Sequence, residues 1–325
     1  LTRSAIPLLD EAMDLLGPDP KTVAKQSAAN ARRAAEEQYA KDTLAATGLG
    51  QGIVSSQMLL DQMNGDDGEL TAQRAAADRE WTYGHIVVDE AQELTAMDWR
   101  MLIRRCPSRS FTIVGDVAQT SALAGTRRWD KTMNRLFGEG HWDLNELTIN
   151  YRNPREVSDL ASRFAQNEGL YISTVNAVRA LPDSVSRHVV DDMKALLTVT
   201  SNQAAQLANH FVSADGTGRI AIICPNDLIK PVREAVRHRL SSLMAPSEYQ
   251  RLIDQPEWDE QISVCGTEMV KGLEFDAVIV IEPGRIEDDA PSRLVAASDL
   301  YVATTRPTQK LVIVRTKEDE RSLNI

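Results

Sequence analysis

Two patterns of apolar and polar positions divide the chain. Up to about residue 80 the apolar positions recur at helical spacing. Pro7 stands near a helix start, Leu8, Leu9, Ala12, Leu15 and Leu16 follow at helical intervals, and Gly17-Pro18 ends the run. Lys25–Thr47 is rich in Ala, Arg, Glu and Gln, which predicts a solvated helix with a thin buried stripe. Asn64–Gly68 is a polar break. From Trp81 onward, short β-branched runs alternate with amphipathic stretches. His85–Val88, Phe111–Val114, Leu147–Ile149, Ile220–Cys224, Ala277–Ile281 and Leu311–Val314 read as strands, with Arg155–Gln166 and Pro231–Leu243 among the helices between them. Such alternation predicts a parallel sheet covered on both faces. Ligands of such sheets sit beyond the carboxyl ends of the strands, and all the motifs below are expected there.

Composition narrows the picture. The chain has 325 residues, 42% of them hydrophobic, enough for two domains of about 100–200 residues each. Its net charge of −11 argues against a free-standing nucleic-acid binder, because phosphate contacts need Lys and Arg. Three cysteines without metal-ligand spacing suit a reduced, cytoplasmic chain. The longest apolar runs fall far below the roughly 20 residues of a membrane span, so no membrane partner is expected. No basic stretch leads into an apolar core at the N-terminus, and the chain starts at Leu1 without Met, as an excised piece of a longer protein would.

Five segments carry candidate chemistry. The run Ile86-Val87-Val88 ends in Asp89 and Glu90. An Asp at a strand tip can hold Mg²⁺ through its water shell, and the adjacent Glu can orient or deprotonate an attacking water; acids opening a helix would look the same. Ile113-Val114-Gly115-Asp116 leads to Gln119, which could bond a γ-phosphate or belong to an ordinary loop. Leu147-Thr148-Ile149-Asn150 leads to Tyr151, suited to stacking on a base, and Arg152, suited to neutralising a phosphoryl group; Pro154 then opens a helix. Lys271, Gly272 and Glu274 precede the strand Ala277–Ile281, with Gly272 permitting close backbone approach or simply making a turn. The apolar helix through Leu300–Thr305 ends in Arg306, either a phosphate-facing cation or a helix-capping one.

In order and spacing these segments resemble motifs II to VI of the UvrD/Rep-type superfamily 1 helicases. The stretch Trp81–Gln119, with its DEAQEL, RRCPSRS and VGDVAQT runs, and the PLLDEAMDLLG run near the N-terminus look closer to the HelD group, bacterial RNA polymerase-associated motor ATPases. The resemblance implies RecA-like P-loop NTPase folds, α/β with parallel sheets, behind an N-terminal helical segment. The implied domains are a helical segment at 1–80, the C-terminal part of a first RecA-like domain at 81–143, and a second RecA-like domain at 144–325. It implies ATP and Mg²⁺ as ligands, with Asp89 on Mg²⁺ through water and Glu90 as catalytic base. It makes Gln119 the γ-phosphate sensor, Tyr151 the adenine stack, and Arg152 and Arg306 the arginine fingers. Lys271, with Gly272, would reach the phosphates and Glu274 the ribose. The implied partner is RNA polymerase, remodelled or recycled at the expense of ATP, with DNA left open as a second partner.

Four departures matter. No glycine in the sequence is followed by lysine, so the G-x-x-x-x-G-K-[ST] phosphate loop is absent, and these residues alone are expected to be inactive. After the third motif, Thr120–Gly125 holds no aromatic to stack on single-stranded DNA, and the next is Trp129. Glu268 stands where such helicases place a DNA-touching His. Only 113 residues separate Asn153 from Thr267, which the second RecA-like domain itself fills. The HelD-like reading is therefore preferred over two alternatives, a UvrD/Rep-type DNA helicase or translocase and a non-catalytic binding module.

Overall fold

The computed structural model describes residues 81–255 and 260–319, together with Thr2, residues 5–17 and scattered positions up to 42. Two compact units emerge, one of Leu1–Ile86 with Met97–Phe111, the other of Val87–Ala96 with Thr112–Ile325. The fold is of the α/β, RecA-like class, with an N-terminal helical segment.

In the first unit, α1 (Ile6–Leu16) has Pro at its start and Gly17 after its last turn, as expected. The described positions between Pro20 and Asp42 are helical, while the break at Asn64–Gly68 lies outside the described residues. Helix α1 turns its acidic face, not its apolar stripe, inward. Asp10 accepts from Arg104 at 3.0 Å and Glu11 pairs with Arg100 at 2.7 Å, both on α2 (Ala96–Arg105). Leu8, Leu9, Leu15 and Leu16 remain exposed. Trp99 is buried and meets Phe111 edge-on at 6.4 Å.

Strands β1 (Ile86–Val88) and β2 (Phe111–Ile113) form a two-stranded sheet. The second unit then adds α3 (Trp129–Phe137) and a two-stranded parallel pair, β3 (Ile149–Pro154) with β4 (Asn176–Arg179). Its main sheet has five parallel strands in the order β5 (Val185–Val190), β9 (Pro307–Thr316), β8 (Phe275–Ile281), β6 (Ile220–Ile223), β7 (Ile262–Cys265). Side chains alternate across this sheet. Ala221, Ile223, Val278, Val280, Leu311 and Ile313 enter one core with α4 (Arg155–Asn167) and α9 (Arg293–Thr305). Ile220, Ile222, Ile279, Ile281, Val312 and Val314 enter the other, under α5 (Met193–Phe211), α6 (Ile229–Leu243) and α7 (Pro246–Ile253). Because both faces are covered, the central strands carry no polar alternation.

One expectation about site placement is overturned. The segment Lys271–Asp276 and Arg306 lie at the amino ends of β8 and β9, not beyond the carboxyl ends. The carboxyl ends of β5, β8 and β9 instead border a cavity of about 630 Å³ lined by Asp191, Asp192, Glu282, Asp288, Glu318 and Arg285 among others. Its surplus of carboxylates repels phosphate, so the cationic chemistry sits at the opposite edge. Helix α8 (Pro283–Asp289) flanks that cavity. The Arg-bearing strand also differs from expectation. It runs through Tyr151 and Arg152 to Pro154, which caps α4 rather than entering its first turn.

Candidate active site

The site is built from chain turns that follow or precede strands. After β1 the backbone turns through Glu90 in the left-handed region (φ 49°) into a single helical turn, Ala91–Glu93. After β2 it passes Gly115 and Asp116 into a second such turn, Val117–Gln119. The two turns are stitched together. Ala91 N–H donates to the Val114 carbonyl at 3.0 Å, and Asp116 N–H to Gln92 Oε1 at 3.1 Å.

Glu90 is exposed, and its Oε2 accepts from Gln92 Nε2 at 2.7 Å. A Cβ placed on Gly272 would lie 3.8 Å from Glu90 Oε1, so this carboxylate faces the turn before β8. Asp89 Oδ1 accepts from Glu90 N–H at 2.8 Å, which fixes the direction of the first carboxylate beside the second.

Gln119 joins the two halves of the site. Its Nε2 donates to Asp116 Oδ2 at 2.9 Å, and its Oε1 accepts from Arg306 Nη2 at 2.8 Å. Arg306 is only 3% exposed. It does cap the helix, since it stands at the C-cap and bonds a last-turn carbonyl, but it does so buried rather than in solvent. The guanidinium also donates through Nε to the Val302 carbonyl (3.2 Å) and through Nη1 to the Leu273 carbonyl (3.3 Å). Burial and the neighbouring Arg152 pull its pKa below the usual arginine value, while Glu90, Glu274 and Asp116 pull it back up. Burial pushes the Asp116 carboxyl up, against hydrogen bonds from Ala118 N–H and Gln119 and the charge of Arg306.

Arg152 is half-exposed and pairs with Glu274 at 2.6 Å. Asn153 sets its strand against the Arg306 turn, donating from one Nδ2 to the carbonyls of Thr305 and Pro307, both at 2.8 Å. Lys271 leans away from this group toward Asp299 at 3.8 Å, whose Oδ1 accepts from Ser121 Oγ at 2.7 Å. Burial raises the Asp299 carboxyl, opposed by the Ser121 bond and Lys271. Tyr151 projects into solvent, 69% exposed.

Glu90, Gln119, Arg306, Arg152, Gly272 and Glu274 thus gather at one edge, while Lys271 and Tyr151 stand to its sides. Four residues here escaped the motif reading: Gln92, Asp116, Asn153 and Asp299. The first three lie inside the motif runs, and their signal was a neutral amide or second acid beside a more conspicuous charge. Asp299 had none. Among the described residues no group of three or more His, Cys, Asp or Glu could hold a metal ion. Mg²⁺ held by one carboxylate plus substrate phosphates and waters needs no such group, so Asp89 fits that role. Among the described residues no helix is long and apolar enough to cross a membrane.

Comparison with known proteins adds little. No family model matches the chain. No curated protein matches it. Among solved structures, the C-terminal domain of a possible DNA helicase from Lactobacillus plantarum WCFS1 is similar over 51% of this chain and 88% of its own, at 18% identity and a TM-score of 0.36.

Proposed function

We propose that this chain is the nucleotide-hydrolysing region of a HelD-like superfamily 1 motor ATPase, which spends ATP to remodel or recycle RNA polymerase. The observation that carries the reading is the 2.8 Å bond between Arg306 and Gln119, with Glu90 in the same hydrogen-bonded set. Phosphoryl transfer asks a protein for positioning and for positive charge near the transferring group. Glu90 takes the proton of the attacking water. Gln119 orients that water or the γ-phosphate. Arg306, desolvated and fixed, stabilises charge on the phosphoryl oxygens, and Arg152 adds to it once Glu274 turns to the ribose. The Gly272 backbone leaves room for a phosphate beside Glu90, Lys271 reaches the same phosphates when released by Asp299, and Tyr151 offers its ring to adenine. Bound at Asp89, Mg²⁺ would neutralise phosphate charge.

The reading requires a phosphate-binding loop outside these 325 residues, so the isolated chain is expected to be inactive. The net charge of −11 and the exposed Glu268 support a protein partner with basic channels over a DNA track, and make a UvrD/Rep-type translocase the weaker alternative. A binding module would not need an arginine buried against a glutamine at such cost. The test is steady-state ATP hydrolysis by the longer protein that contains this sequence, with and without RNA polymerase. Turnover should rise on adding polymerase and vanish in Glu90→Gln. Equal turnover in that variant would remove the ATPase assignment, and stimulation by single-stranded DNA alone would favour the translocase.

A further inference from the structure

Gln92 is a neutral side chain at the centre of a charged site. It is 1% exposed, on the single helical turn that follows Glu90. Its two amide ends are assigned by chemistry. The Asp116 N–H can only donate, so the end facing it at 3.1 Å must be Oε1, which leaves Nε2 to donate to Glu90 Oε2 at 2.7 Å. The backbone around it is fitted closely. A Cβ on Gly115 would come within 2.4 Å of Gln92 Oε1, and one on Gly125 within 2.5 Å of the Gln92 carbonyl oxygen, which also accepts from Thr126 N–H at 2.7 Å. Glu90 itself is exposed and holds a left-handed conformation that only surrounding contacts maintain.

We propose that Gln92 is a positioning residue for the hydrolysis described above, and this rests on that reading. It aims the Glu90 carboxylate and ties that aim to the arginine. The connection runs from Glu90 Oε2 through the Gln92 amide to the Asp116 N–H, from the Asp116 carboxylate to Gln119 Nε2, and from Gln119 Oε1 to Arg306. Each link is a single hydrogen bond. Movement of Gln119 toward a phosphate shifts the turn that carries Asp116, and Gln92 passes that shift to the base. A base that is free to swing loses near-attack geometry, and a misplacement of about 1 Å costs about 100-fold in rate.

The experiment uses the longer protein with Gln92→Glu and Gln92→Leu, measuring kcat and KM for ATP at neutral pH beside thermal melts. Gln92→Glu is nearly isosteric and one oxygen can still accept the Asp116 N–H, but its second oxygen meets Glu90 Oε2 as an acceptor and cannot donate to it. Gln92→Leu removes both bonds. The expected result in both variants is kcat lowered about 100-fold with KM within about threefold, and in Gln92→Glu a melting temperature unchanged from wild type. Unchanged kcat in either variant overturns the proposal. So does a loss of kcat in Gln92→Glu that comes with a matching rise in KM or a lowered melting temperature, since a merely structural amide gives that. If the wild-type protein shows no turnover, the ATPase reading itself has failed, which these outcomes keep separate.

Discussion

The two candidate arginine fingers differ in what the fold has invested in them. Arg306 is buried and donates to four acceptors, so Arg306→Ala leaves the Gln119, Val302, Leu273 and Thr305 oxygens to find other donors around a new void. A loss of about 3 kcal/mol is expected, in the range for breaking a buried charged group's contacts. Arg152 makes a half-exposed pair with Glu274, so Arg152→Ala should cost under about 1 kcal/mol. Denaturant melts of the 325-residue chain check both, and equal melts would mean that Arg306 is less engaged than its bonds indicate. The sequence left Arg306 open between capping and phosphate-facing roles, because a helix-terminal arginine looks the same in either. What a linear pattern does not carry is that the helix end is covered by the Leu273 and Gln119 turns. The thiols at Cys224 and Cys265 give a second residue-scale expectation. Burial pushes them up to about 12 and about 11. In the unfolded chain they ionise near the ordinary value of about 8.5. Their contribution is complete below that pH and is lost as pH rises through 11 to 12. Stability measured by urea should therefore fall above about pH 8.5, and a Cys224→Ser, Cys265→Ser double variant should flatten that fall.

Elements show where sequence reading succeeds and where it stops. Gly115 lies at the close approach of the two turns, where Gly115→Ala would press a methyl onto Gln92 Oε1 and the Ala91 amide. It should destabilise by about 1–3 kcal/mol, whereas Asp192→Ala, which removes an N-cap bond to Ala195 at 2.8 Å, should cost about 1 kcal/mol. Equal melting temperatures for wild type and Gly115→Ala would show that the turns have slack. Strand β6 and the inner parts of β8 and β9, Ala277–Ile281 and Leu311–Val314, were legible because both faces are buried and every position there is apolar. Strand β5 was missed because it borders the sheet and alternates Ser186, Arg187 and His188 among its valines. Strands β4 and β7 are four residues each, too short for a period of two to stand out. Helix α1 was legible as a helix, but its orientation was not. Its apolar stripe suggested burial, while three carboxylates bring the opposite face onto Arg100 and Arg104.

At the scale of the whole molecule, the order of stability follows the layers. Amides of Ile220–Ile223, Val278–Ile281 and Val312–Val314 lie in a sheet sealed on both faces and should exchange slowest with deuterium, near the limit of global unfolding. Those of β1 and β2, where Val87 and, just past β2, Val114 are exposed, should exchange sooner. A mass-spectrometric exchange series that found the two groups equally protected would contradict this ordering. The same layering bears on the join between Gln119 and Arg306. Arg306 is rooted in the sealed part of the fold, at the junction of α9 and β9, by two carbonyls that do not move with Gln119. Gln119 hangs from a three-residue turn beside β2. The cation is a fixed post and the amide a latch resting on it, so an arriving anion has only one of the two to displace. With a phosphate analogue bound in the longer protein, Arg306 should remain within about 1 Å of its present place while Gln119 lets go. The molecule would then sense its ligand by what the ligand pushes aside, with the arginine serving before and after as the same immobile charge.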